Sequence, residues 1–295
     1  MAELRFDGRV AVVTGGGRGL GREYALLLAA KGAHVVVNDV DAEPVEQVVA
    51  EIRAAGGDAI ASVESVATAE GGQAVIAAAL DHSGRLDVLI HNAGNVLRAP
   101  LSEMSYDDFD AVLDVHLRGA FHVVRPAFPV MCAAGYGRVV LTSSIGGLYG
   151  NHDVANYAAA KAGIIGLSNV VALEGAARGV LCNVIVPGAV TRMAEGLDTS
   201  AYPPMGPELV APVVGWLAHE ACSITGESLA AIAGRVARVV VAEAPGVYQP
   251  AWSIEAVGER IGEIRDLSAP VVFPAVPAGH ADHIGYSFAM ARGTT

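Results

Sequence analysis

Three residues in one stretch have the types and the spacing to move a proton. Tyr157 and Lys161 lie four apart, and Ser144 stands thirteen residues before the tyrosine. On a helix, a spacing of four puts both side chains on one face, about one turn apart. A lysine ammonium beside a phenol favours the phenolate, so the pair predicts a tyrosine pKa lowered from about 10. Such a tyrosine takes or gives a proton at neutral pH. Ser144 follows the apolar run Arg138-Val-Val-Leu-Thr-Ser, and a strand end there presents its hydroxyl to a substrate oxygen. A tyrosine and a lysine at this spacing are also a common exposed helix face, so the surrounding elements decide.

The chain from Arg9 to Gly15 is a short β-branched run that predicts a buried strand. Thr14-Gly-Gly-Gly-Arg-Gly-Leu-Gly21 follows, then a helical pattern through Ala30. Gly15, Gly19 and Gly21 allow a tight turn against a pyrophosphate, and the helix N-terminus offers its free N–H groups to the negative charge. Arg18 and Leu20 belong to the same loop. A second strand over Ala33–Asn38 ends at Asp39. A carboxylate there suits both ribose hydroxyls and repels a 2′-phosphate. Arg18 pulls the other way, as a cation able to pair with that phosphate. Asp39 holds the more decisive position, so the expected cofactor is NAD.

A third strand, Asp58–Glu64, leads into Glu64-Ser65-Val66 at the sheet edge where an adenine would lie. A fourth, Leu86–His91, ends in Asn92-Ala93-Gly94, small residues that permit close backbone approach. Helical patterns over Pro44–Ala55 and Gly71–His82 separate these strands. The alternation predicts an α/β doubly wound parallel sheet, a Rossmann fold with helices on both faces.

The second half continues in kind. A helix is predicted over Ser102–Leu117 with Ser102 as its N-cap, and another over Phe121–Cys132, kinked by Pro126 and Pro129. Gly137–Thr142 is a fifth strand. The long helix Asn156–Arg178 carries no charge between Lys161 and Glu174. A surface so apolar predicts contact with another subunit, hence a homo-oligomer, dimer or tetramer. A sixth strand, Val180–Val186, is closed by Pro187-Gly188. Thr191–Pro207 is read as a lid over the substrate cleft. Glu208–Glu220 is helical, Ser228–Ala233 a last strand, and Val236–Val241 an apolar run without an assigned role. Ser253–Leu267 reads as a single charged amphipathic helix. Residues 1–250 are expected to form the NAD-binding catalytic domain, and 251–295 a helical extension and tail of it.

Composition excludes several classes. Hydrophobic residues make up 53% and the net charge is −12, with no Lys/Arg-rich run. That argues against nucleic acid and against an anionic membrane surface. No stretch of 18 purely apolar residues predicts a membrane span. Three scattered cysteines give no disulfide framework or metal spacing, and fit a reducing cytoplasm. His280 and His283 lack carboxylate or cysteine support, so no metal is expected.

Thr14-Gly15-x-x-x-Gly19-x-Gly21, Asn92-Ala93-Gly94, Ser144, Tyr157-x-x-x-Lys161 and Pro187-Gly188, in this order, resemble the short-chain dehydrogenase/reductase family. The resemblance implies that Ser144, Tyr157 and Lys161 are catalytic. It implies that Tyr157 and Lys161 adjoin the nicotinamide ribose, and that Pro187, Gly188 and Thr191 border the nicotinamide. The family's fourth catalytic residue, an asparagine in N-x-x-G, falls on His116 of His116-Leu-Arg-Gly119.

A sharper likeness runs through Asp114–Phe121, Ser143–Asn151, Ala155–Lys161, Ala172–Gly175 and Leu209–Cys222. These resemble the (3R)-hydroxyacyl-CoA dehydrogenase part of the peroxisomal multifunctional enzymes of type 2, a subfamily that also carries histidine at the position of His116. Glu64-Ser65-Val66 is similar to its adenine-contacting Asp-Ser-Val. The resemblance implies oxidation of a (3R)-hydroxyacyl-CoA thioester to the 3-oxo compound by a stand-alone dehydrogenase. Arg98, Arg118 and Arg192 are candidates for the CoA phosphates. The alternatives are a hydroxysteroid dehydrogenase, a 3-oxoacyl-carrier-protein reductase, and a non-catalytic NAD-binding scaffold or sensor.

Overall fold

Valine and isoleucine crowd the central strands because a parallel sheet covered on both faces has no polar side. The computed structural model describes residues 3–191 and 201–294. Its main sheet is built from β1 Val10–Thr14, β2 His34–Asp39, β3 Asp58–Val63, β4 Val88–His91, β5 Gly137–Thr142, β6 Val180–Gly188, β7 Ser228–Ile232 and β8 Arg235–Val239. The order is β3-β2-β1-β4-β5-β6-β7-β8, and β1 to β7 pair in parallel. Connections run outward from β1 to one side and from β4 to the other, so a crevice opens at the carboxyl ends between them. The Rossmann-like α/β fold expected from the sequence is the fold observed. The unassigned run near Val236 is β8, turned back from β7 at Ala233-Gly234, both at positive φ (49° and 79°). That pair of angles suits a two-residue hairpin turn.

The helices are α1 Gly19–Ala30, α2 Ala42–Ala54, α3 Ala69–Ser83, α4 Tyr106–Leu113, α5 Gly119–Ala134, α6 Ile145–Tyr149, α7 Ala155–Gly175 and α8 Ala211–Ala218. Leu28 of α1, Val45, Val48 and Ile52 of α2, and Val214 and Leu217 of α8 share one core cluster with Val13 of β1 and Val35 and Val37 of β2. Truncating Leu28 to Ala there would cost about 2–5 kcal/mol. The Thr68 hydroxyl caps α3 by accepting from the Gly71 N–H at 3.1 Å, and Gly84 ends the helix at φ 66°. None of the helices formed by described residues is long and apolar enough to cross a membrane.

Three expectations change. The cap of α4 is Ser105, which accepts from the Asp108 N–H at 3.0 Å, rather than Ser102, because the chain at 101–103 is still turning. Asp114–Arg118 is one turn of π-helix between α4 and α5, and it carries His116. The helix expected over Ser253–Leu267 is two short helices, α9 Ile254–Glu259 and α10 Ile261–Ile264, broken at Arg260 (φ −101°, ψ 9°) between Gly258 and Gly262. Glycine costs about 1 kcal/mol per position in a helix.

The chain divides into two compact units, residues 1–238 and 239–295, the division falling before the boundary expected at 250. In the second, β9 Ala242–Glu243 pairs antiparallel with β10 Val271–Val272, and α11 Gly279–Arg292 forms where no helix was predicted. Phe273 meets the rings of His283 and Tyr286 edge-on. Most of the expected lid, including Arg192, lies outside the described residues.

Candidate active site

The site is assembled at the carboxyl ends of β1, β2, β4, β5 and β6. Gly15 sits at φ 62°, and a Cβ on it would come within 2.7 Å of the Ala93 Cα. The loops after β1 and β4 are therefore locked together by an approach only glycine allows. Thr14 Oγ1 accepts from the N–H groups of Asn92 and Ala93 at 3.1 and 3.2 Å, and Asn92 Nδ2 donates to the Gly15 carbonyl at 3.1 Å. Gly21 turns toward the Gly15 carbonyl, which its Cβ would meet at 2.1 Å. It secures helix-to-strand packing rather than lining the crevice.

A cavity of about 330 Å³ opens in front of this loop. Its walls include Gly15, Arg18, Gly19, Leu20, Asp39, Glu64, Ser65, Val66, Asn92, Ala93, Gly94 and Thr191, most of the cofactor-binding residues expected from the sequence. The Asn38 amide fixes the adenine-side loop by donating to the carbonyls of Ser62 and Glu64 at 3.0 and 2.9 Å. Asp39 accepts from the Gly17 N–H at 3.2 Å and the Val40 N–H at 2.8 Å. Arg18 pairs with Asp41 at 2.5 Å, so this cation already has an anionic partner. A glycine cradle, a helix N-terminus without a side-chain cap and a carboxylate at the end of β2 fit a nicotinamide dinucleotide. Gly15, Gly19 and the start of α1 would hold its phosphates, and Asp39 its adenine ribose. Pro187 and Gly188, at the end of β6, and the catalytic candidates lie outside this cavity's lining.

Ser144, Tyr157 and Lys161 do come together. Ser144 caps α6, accepting from the Gly146 N–H at 3.1 Å, and its hydroxyl is near enough to the Tyr157 phenol to lower its pKa. Lys161 is buried and donates to the Thr142 carbonyl at 2.6 Å, with its Nζ 5.6 Å from the centre of the Tyr157 ring. The expected lowering of the tyrosine is reversed: burial raises its pKa, outweighing the Ser144 hydroxyl and the Arg98 charge, which lower it. Burial in turn pushes Lys161 down to about 7. The lysine is turned to a carbonyl rather than to the phenol, so Ser144 and Arg98 are the neighbours that favour the phenolate.

His116 is fully buried beside Tyr157, ring edge to ring face at 5.2 Å. Its Nε2 meets both the carbonyl (2.8 Å) and the N–H (3.1 Å) of Asn95, and its Nδ1 has no hydrogen-bond partner. Burial, then the Lys161 charge, hold it well below the usual imidazole range, so the ring is neutral. Gly94 must be glycine, because a Cβ would fall 2.3 Å from His116 Cε1. The residue that sequence reasoning passed over is His91. Its ring, pushed down to about 3 chiefly by burial, bridges Thr14 Oγ1 (3.0 Å) and the His116 backbone carbonyl (3.1 Å). A histidine closing an otherwise apolar strand, just before Asn92, is the signal that would have found it. Asn156 was likewise missed; its amide ties the Leu97 and Asp108 carbonyls, both at 3.1 Å, to the start of α7.

A doubly wound sheet with a glycine-lined crevice and a serine, tyrosine and lysine brought together fits a dehydrogenase. The sequence model of short chain dehydrogenases matches residues 9–200, and the chain belongs to that family, oxidoreductases acting on CH–OH groups. It is 45% identical over 281 residues to peroxisomal multifunctional enzyme type 2 of Drosophila melanogaster, covering 90% of this chain and 46% of that protein. It thus spans about half the length of that curated relative. It is 40% identical over 239 residues to a 3-oxoacyl-[acyl-carrier-protein] reductase of Synechocystis, covering 77% of this chain and 97% of the reductase. The solved full-length Drosophila enzyme superposes with a TM-score of 0.82 at 39% identity, over 98% of this chain and 50% of that one.

Proposed function

We propose that the protein oxidises (3R)-hydroxyacyl-CoA thioesters to 3-oxoacyl-CoA with NAD. The observation that carries the substrate reading is the 45% identity, sustained over 90% of the chain, to the multifunctional enzyme. The cofactor, when bound, accepts the hydride from the carbinol carbon. Tyr157, as the phenolate that Ser144, Arg98 and the positive charge of bound NAD favour against its burial, takes the hydroxyl proton, and Ser144 holds the substrate oxygen while it does so. Lys161, brought to a pKa of about 7 by burial, is oriented by its hydrogen bond to the Thr142 carbonyl and would reach the nicotinamide ribose hydroxyls with its remaining donors. NAD over NADP is supported by Asp39 at the end of β2 and by the Arg18–Asp41 pair, which occupies the cation a 2′-phosphate would need. Of the arginines suggested for CoA, Arg118 is engaged by Asp110 and Asp114, whereas Arg98 is exposed, near enough for its charge to lower the Tyr157 pKa, and has no ion pair among the described residues. Arg98 is therefore the better candidate.

Association through α7 is part of this reading. Ala159, Ala162, Gly166, Val170 and Leu173 form an exposed stripe along the helix, with Val170 50% and Leu173 40% exposed. The three cysteines are buried and unpaired, which supports a reducing compartment such as the cytoplasm. The second reading is reduction of a 3-oxoacyl group on a carrier protein, favoured by the likeness to the Synechocystis reductase. A kinetic panel of acyl-CoA thioesters, carrier-protein thioesters and free steroids, each with NAD(H) and NADP(H), separates them. The proposal expects the CoA thioesters with NAD to give the highest kcat/KM. A preference for carrier-protein thioesters with NADPH would replace it by the second reading.

A further inference from the structure

The amino-terminal edge of the sheet, opposite the crevice, carries a cluster that the dehydrogenase chemistry does not use. His34 opens β2 and Asp58 opens β3, and the two are register partners in the parallel ladder. His82 comes from the last turn of α3. His34 Nδ1 lies 2.9 Å from an Asp58 carboxylate oxygen, and the His34 and His82 rings stack with centroids 4.3 Å apart. One ligand atom from each of the three residues falls within 4.8 Å of the other two.

His34 is the informative member. Its side chain is only 9% exposed, and neither ring nitrogen makes a hydrogen bond. The Asp58 oxygen is near enough for one but lies off the direction in which the nitrogen would donate. Buried polar atoms are nearly always paired. A buried imidazole without a hydrogen-bond partner, held 2.9 Å from a carboxylate oxygen, forms with it a pair of ligand atoms that an ion could bridge.

We propose that His34, Asp58 and His82 bind a divalent transition-metal ion of the zinc class. Two imidazole nitrogens and one carboxylate oxygen are a donor set for Zn²⁺ and its neighbours, whereas Ca²⁺ and Mg²⁺ prefer all-oxygen shells. Ligands at about 2.0–2.2 Å from one ion stand roughly 3–3.5 Å apart, close to the 2.9 Å between His34 Nδ1 and the Asp58 oxygen, whereas the three ligand atoms together span up to 4.8 Å and must draw in. His82, exposed at the helix end, reaches the ion by rotating out of the ring stack, and water takes the remaining position. The ion would tie the starts of β2 and β3 to the end of α3. Asp39 lies at the other end of β2, about 16 Å along a strand of this length. The ion's effect therefore falls on stability rather than on hydride transfer, and the inference stands independently of the substrate reading.

The test is Zn²⁺ titration of the metal-stripped full chain by calorimetry, alongside thermal melts and the Co²⁺ visible spectrum. Native protein should bind one Zn²⁺ per chain in the micromolar range or tighter, with a raised Tm and a Co²⁺ d–d band. His82→Ala and Asp58→Asn change exposed residues, so the fold is kept, and each should weaken binding at least about tenfold. His283→Ala, which changes the other histidine–carboxylate pair, should leave binding intact. Absence of binding at about 100 µM Zn²⁺, far weaker than zinc bound by a preformed site, would overturn the proposal. So would binding that survives both His82→Ala and Asp58→Asn.

Discussion

The two edges of the sheet are built on opposite plans. At the carboxyl edge the chain offers loop amides, a glycine cradle, a raised phenol and a lysine with a lowered pKa. At the amino edge, the polar groups around Asp87 close on one another. Asp87, 5% exposed in its side chain, receives Arg9 at 3.0 Å, Arg85 at 2.6 Å and the Val10 N–H at 2.9 Å. Arg9 also reaches Glu220 and packs over the Tyr136 ring. Burial raises the Asp87 carboxyl, yet the hydrogen bonds from Arg85, Val10 and Arg9 together leave it lowered. One edge holds groups out of their comfortable ionisation states for chemistry, and the other spends its charges on holding strands together. Substitutions should therefore cost rate at the first edge and stability at the second.

The largest expected effect is at the carboxyl edge. Tyr157→Phe should lower kcat by about 10²–10⁴-fold while the Tm and dinucleotide binding, followed by calorimetry, hardly change. A variant that kept most of its rate would break the contrast at its strongest point. At the amino edge, Asp87→Ala takes a shared partner from two arginines and one backbone N–H, Arg9 keeping Glu220, and should cost about 1–3 kcal/mol in chemical denaturation. The rate per folded molecule should survive. Because the native carboxyl is lowered, the stability difference is complete above the unfolded carboxylate pKa of about 4. It closes as pH falls through the folded value.

Lys161→Met sharpens the comparison, since it should gain stability at the cost of function. The native lysine titrates near 7, below its unfolded value of 10.5, so the unfolded chain binds more protons between those values. The native protein therefore carries a penalty that is full below pH 7 and fades as pH approaches 10.5. The variant's advantage, on the order of a few kcal/mol at pH 6, should shrink over that window in denaturation curves. An advantage independent of pH would mean that the lysine's charge is not its source.

Smaller effects follow at the crevice and on α7. Asp39→Ala should narrow the NAD over NADP preference by about tenfold, measured as the ratio of kcat/KM values. Val170→Glu puts a charge into the exposed stripe and should weaken association by an order of magnitude or more in sedimentation or light scattering. Ile165, only partly exposed, is the poorer position for that test.

Much of this was legible because it is local. The glycine loop, Asp39, Ser144 and the Tyr157–Lys161 spacing each sit within one strand-to-helix unit, where residue type and register decide geometry. What escaped the sequence depends on distant partners. His91 acquires its role only when Thr14 and the His116 carbonyl, far apart in the chain, arrive on either side of its ring. The direction of the Tyr157 shift could not be read from a spacing of four, because burial outweighs any neighbour and Lys161 turns to Thr142. Ser105 displaced Ser102 as cap because both look alike in sequence and only the turn at 101–103 separates them. In the second unit, Gly258 and Gly262 split a pattern whose charges and apolar residues alone promised one helix.

The most direct test of the account is NADH formation from pure (3R)- and (3S)-hydroxyacyl-CoA of matched chain length, with native protein and Tyr157→Phe side by side. Native protein should turn over the R isomer and little or none of the S isomer, and the variant should lose R turnover despite retained NAD binding. Turnover confined to the S isomer, or R turnover undiminished in Tyr157→Phe, would contradict this reading.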